Sequence, residues 1–82
     1  MNNIITNYIN IMKKEDIINF AKKNNLKVTD SEIDFIYTFI KNNHEYYLKN
    51  PNELDISKYK DKFSNDNYNF LINLFNKLFK KL

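Results

Sequence analysis

Not one of the 82 residues is glycine. Every helix end and chain reversal must therefore be built from residues that carry a Cβ. Asparagine, present 16 times, is the residue here that best tolerates the left-handed region. The absence also removes chemistry. The dinucleotide-binding fingerprint and the P-loop both need backbone that approaches phosphate without a Cβ, so the chain encodes neither. Glycine-built nucleophile elbows go with them, and Ser31, Ser57 and Ser64 have no such context.

Arginine, cysteine, tryptophan and glutamine are missing as well. Without cysteine there are no disulfides, no thiolate catalysis and no cysteine-based zinc sites. Without arginine there is no bidentate fork to read guanine or clamp a phosphate. The residues that dominate, Asn, Lys, Ile, Phe and Tyr, are those of AT-rich codons, a bias common in bacterial and phage genomes. The asparagines are dispersed among apolar residues and form no prion-like tract. Hydrophobic residues make up 43% and charged residues 28%, proportions that let a chain fold. A single helical domain over residues 1–82 is the expectation, and a chain this short buries only about 60–65% of its unfolded surface.

Met1-Asn2-Asn3 opens uncharged, and Asn7, Asn10 and Lys13-Lys14-Glu15-Asp16 interrupt any secretory-type apolar run. The most apolar short stretch, Ile33 to Ile40, contains Asp34 and Thr38 and is far below bilayer length. The expected location is the cytoplasm, without a membrane.

Helical periodicity runs through nearly the whole chain. Ile4, Ile5, Tyr8, Ile9 and Met12 share one face of a first helix. Glu15 and Asp16 suit the first turn of a second, whose inner face is Ile17, Phe20 and Ala21 with Ile18 at the margin. Asn24-Asn25 ends it. Thr29-Asp30-Ser31-Glu32 fits a capping box, and Val28 and Ile33 are spaced for a hydrophobic staple, so a third helix starts here. That helix carries two apolar stripes. Ile33, Ile36, Tyr37 and Ile40 form one, and Phe35 and Phe39 lie about 160° round from it. His44 and Tyr47 continue the first stripe and Tyr46 the second, and Asn50-Pro51 stops the helix near Lys49.

Pro51 to Leu54 reads as a loop. Asp55 then caps a short helix in which Ile56, Tyr59 and Phe63 repeat, and Ser64 caps a last one. In the last helix Tyr68, Leu71, Ile72, Phe75, Leu78, Phe79 and Leu82 make an uninterrupted stripe. Valine occurs once, and neither a hairpin dipeptide nor a run of period two is present. The fold class is all-α, a small bundle of four to five helices.

Within this layout Glu15-Asp16-Ile17-Ile18, Phe20-Ala21-Lys22, Leu26-Lys27-Val28 and Thr29 through Glu32 follow an order that resembles the YqfT-like family of small helical proteins of Bacilli and relatives. The likeness spans roughly residues 4–45, and residues 71–79 are compatible with it. Where that family closes its third helix with an arginine-glycine pair, this chain has Lys41-Asn42-Asn43. The resemblance implies a helical fold and carries no activity or site residue with it.

Candidate sites are few. His44 is the sole histidine and has no second histidine or cysteine to complete a zinc set, so it reads as a structural residue. Asp30 and Glu32 are accounted for by the helix start, and residues 55–66 lack the glycine and terminal glutamate of an EF-hand loop. No catalytic residue, metal or cofactor is expected, and the chain reads as a non-enzyme.

The aromatic surplus has two readings: mutual burial of the second stripes on each other or on the first helix, and an exposed surface for a protein partner. Phe35, Phe39 and Tyr46, with Phe70 and Leu74 as a second patch, lie off the main stripes and form the candidate protein-binding surface. The function expected is a non-enzymatic protein-binding module. It would serve as an adaptor, inhibitor or regulator of a larger protein machine, including a phage-encoded inhibitor of the anti-CRISPR kind. The alternative is a lysine-dependent RNA-, DNA- or ribosome-associated protein that uses Lys13, Lys14, Lys58, Lys62, Lys77, Lys80 and Lys81 against phosphate. Homodimerisation through the last helix is a further use of its long stripe.

Overall fold

The helix boundaries are written in short-range side-chain hydrogen bonds. The computed structural model describes residues 3–79. Among them are four α-helices, α1 (Asn3–Ile11), α2 (Lys14–Lys23), α3 (Asp30–Lys49) and α4 (Asn65–Phe79), and no strand. Two 3₁₀ segments, Pro51–Glu53 and Ile56–Lys62, lie between α3 and α4. None of the described helices is long and apolar enough to cross a membrane.

At the start of α2, Asp16 reaches back to the Lys13 amide at 2.9 Å. The box at α3 closes in both directions: Thr29 Oγ1 accepts from the Glu32 amide at 3.1 Å, and Glu32 Oε1 accepts from the Thr29 amide at 2.8 Å. Asp55 Oδ1 takes the Ser57 amide, and Ser64 Oγ takes the Asn67 amide. Asparagine performs the closing step that glycine usually takes. Asn25 sits at φ 59°, its amide bonds Lys22 O, and the Leu26 amide bonds Ala21 O, which together make a Schellman end. At the end of α3, the Asn50 backbone amide and its side chain both donate to Tyr46 O.

The helix α3 is central and packs against α1, α2 and α4. Its 20 residues make it about 30 Å long, nearly the greatest extent of the molecule, 33 Å. The innermost side chains come from three helices: Ile9 of α1, Ile36 and Ile40 of α3, and Leu71 and Phe75 of α4.

Four expectations are corrected. The stretch after Pro51 is a single 3₁₀ turn and not a loop, while the short helix expected after Asp55 is present and is of the 3₁₀ kind. At three residues per turn Ile56 and Tyr59 lie one above the other, which lays both against the bundle. The expected inner face of α1 splits, since Ile9 and Met12 are buried while Ile4 and Tyr8 are exposed. Nor is α4 left with a free seam: Leu71, Phe75, Leu78 and Phe79 are consumed by the core of the same chain, and Leu82 lies outside the described residues. The fourth correction concerns the aromatic stripe.

Candidate protein-interaction surface

Phe35 and Phe39 do not form an open ridge. Phe39 is 8% exposed; its ring stacks on Phe75 at 5.1 Å and on Tyr47 at 5.7 Å, and meets Tyr59 edge-on at 5.3 Å. Phe35 is half-buried, with Tyr59 at 5.2 Å and Phe63 at 5.8 Å. The cover is the 3₁₀ helix Ile56–Lys62 together with Phe63 and α4, so the Phe35 and Phe39 part of the second stripe packs into the core. Phe70 is buried too, at 3%, with its ring 5.4 Å from Phe20 of α2. Tyr46 is 52% exposed and stands edge-on to Tyr47. Leu74 is half-buried and reaches a groove.

That groove runs between α2 and α4, with the end of α1 closing one side. Its volume is about 380 Å³. Met12, Ile17 and Leu78, all buried, line it together with Phe20, Leu74 and Tyr8. Charge enters it from Asp16, Lys23 and Lys77. The Lys77 ammonium lies 5.0 Å from the centre of the Phe20 ring, so its stem covers part of the aromatic face while the charge stays at the lip. An apolar trough with two cations and one carboxylate can seat the ridge of an amphipathic segment.

The lysines proposed for nucleic acid are dispersed. Lys14 pairs with Asp34 at 2.7 Å and lies 5.7 Å from the Tyr37 ring centre. Lys62 lies over Phe35, while Lys13 and Lys58 are exposed. Only Lys77 lines the groove, and Lys80 and Lys81 fall outside the described residues. The Asp34 carboxylate, first through its hydrogen bond and then through its charge, holds the Lys14 ammonium above its ordinary pKa of 10.5.

His44 is 8% exposed. Its Nδ1 is 3.2 Å from the carbonyls of Ile40 and Lys41, so Nδ1 carries a proton and donates to them. Among the described residues Nε2 has no hydrogen-bond partner, and no three His, Cys, Asp or Glu side chains converge as a metal set.

Two residues that sequence reasoning passed over position the site. The Lys41 ammonium donates to the carbonyls of Ile9 at 2.5 Å and Asn10 at 3.0 Å at the C-terminal end of α1, where the Ile9 oxygen also accepts the Met12 amide. It also lies 5.4 Å from the Tyr37 ring centre. Asn67 is buried, and its amide group donates to Lys27 O and to Glu32 Oε1. A lysine 32 positions from its acceptor leaves no periodic signal. For Asn67 the clue was a polar residue directly ahead of the α4 stripe.

No protein-family model matches the chain, and no curated protein or solved structure matches it either.

Proposed function

We propose that the chain is a non-enzymatic protein-binding module of the cytoplasm, an adaptor, inhibitor or regulator that holds a helical segment of a larger protein in the groove between α2 and α4. The observation that carries this reading is the groove itself, apolar along its length, with Lys23 and Lys77 at its edge against the single carboxylate of Asp16. A matching segment is an amphipathic helix with apolar side chains at i, i+3 or i+4, and i+7 and an acidic flank toward the two lysines. Leu74 and Phe20 supply the apolar grip, and Lys77 supplies the charge preference.

The test is selection of displayed helical peptides on the immobilised protein. Enrichment of acid-flanked amphipathic sequences, with binding lost in Leu74→Ser and weakened in Lys77→Glu, is the expected result. Enriched peptides that bind both variants as well as the parent chain defeat the groove. The nucleic-acid alternative is separated by salt, because phosphate binding falls steeply on a log–log plot whereas apolar seating persists.

A further inference from the structure

We infer that α1 carries a second contact surface, a stripe through which two copies of this chain pair about a two-fold axis. The stripe is Ile4, Tyr8 and Ile11, which at i, i+4 and i+7 fall within about 60° of one another on the helix. They are 84%, 48% and 74% exposed. The core takes a neighbouring face of the same helix through Ile9 and the half-buried Ile5. Nine residues are too few to hold a helix in water without packing, so α1 is the element that gains most from having its outer face covered.

Charge identifies the occupant. The segment NIITNYINI contains no acidic or basic residue, whereas each of the other helical segments carries at least one. Two copies with a net charge of +3 repel one another over most of their surfaces. Along α1 identical surfaces meet with no like charges opposed. Asn7, exposed beside the stripe, is both donor and acceptor and so complements itself across a two-fold. Lys41, at the end of α1, is already directed at the Ile9 and Asn10 carbonyls. A membrane-surface helix would instead set lysines along its polar face, and α1 has none.

The stripe shares Tyr8 with the groove between α2 and α4, but Ile4 and Ile11 do not line that groove, so substitutions there test the pairing separately. Sedimentation equilibrium of the intact chain from micromolar to millimolar concentration tests it. The expected result is a rise toward twice the 10.0 kDa chain mass, and Ile4→Lys/Ile11→Lys should stay at the monomer mass, with the melting curve that the parent chain has at concentrations where it is monomeric. Because the chain has no cysteine, Asn7→Cys gives a second readout: oxidation should yield a disulfide-linked dimer, and the two lysine substitutions should suppress it. A wild-type chain that remains at monomer mass throughout overturns the proposal. So does association that persists undiminished in the double-lysine variant, or a stripe whose substitution alters only binding of another protein or of lipid vesicles.

Discussion

Glu32 and Asn67, 35 positions apart, meet inside the molecule at 2.9 Å, where the Asn67 side-chain amide donates to Glu32 Oε1. The same oxygen accepts the Thr29 amide at 2.8 Å. One carboxylate thus closes the first turn of α3 and fixes the first turn of α4 against it. The second Asn67 bond, to Lys27 O at 3.0 Å, ties in the connection between α2 and α3.

Asn67→Ala should therefore destabilise by about 1–3 kcal/mol, since it strips a buried partner from a carboxylate and a carbonyl. Thr29→Ala removes only the cap, a loss of about 1 kcal/mol. Urea unfolding of Glu32→Ala, Asn67→Ala and the double variant gives their coupling. Single effects that simply add would show the contact to be energetically silent.

Phe39→Ala should cost about 3–5 kcal/mol, because it empties a site walled by Phe75, Tyr47 and Tyr59. Tyr46→Ala, at a half-exposed position of the same stripe, should stay within about 1 kcal/mol of the parent chain. Melting curves by circular dichroism separate the two. Phe35→Ala/Phe39→Ala should leave no cooperative transition.

Lys41→Met keeps the stem and removes the charge that α1 points its carbonyls toward. We expect a loss of about 1 kcal/mol, concentrated in α1. Amide hydrogen exchange reads it directly: α1 should lose protection while Ile36 and Leu71, deep in the core, should not. Equal loss throughout would mean that Lys41 acts on the whole fold.

The alkaline side of the stability curve has two contributors of the same sign. Lys14 is held above 10.5 by Asp34, and Tyr59 above 10.0, chiefly by its burial and then by Tyr47 and Asp55. A group whose folded pKa is raised stabilises fully below its unfolded pKa and loses that contribution as pH rises through the folded value. Melting temperature should thus fall as pH passes above 10. Asp34→Asn should remove the Lys14 share of the slope, and Tyr59→Phe should remove the other. An unchanged slope in both would refute the assignment.

Much of this architecture can be read from residue order. The capping box at Thr29 and Glu32, the asparagine close of α2, the stop before Pro51 and the Ser64 start of α4 depend on atoms within four or five residues of one another. So does the division of α3 into two apolar stripes. Interactions of that range are properties of the local chain, which is why the all-α class and the helix ends follow from composition and spacing alone.

What covers each stripe does not follow, because periodicity specifies a face and not its neighbour. The same spacing describes Phe39, sealed by a 3₁₀ helix and by α4, and Ile4 or Ile11, which stay exposed among the described residues. Only the packed molecule showed that the expected binding residues Phe39 and Phe70 are core, that Leu74 opens on a groove, and that α1 turns part of its apolar surface outward. Local hydrogen bonds determined the helices. Which apolar faces were left over was decided by the area available in an 82-residue bundle, where α3 and α4 had already filled the centre.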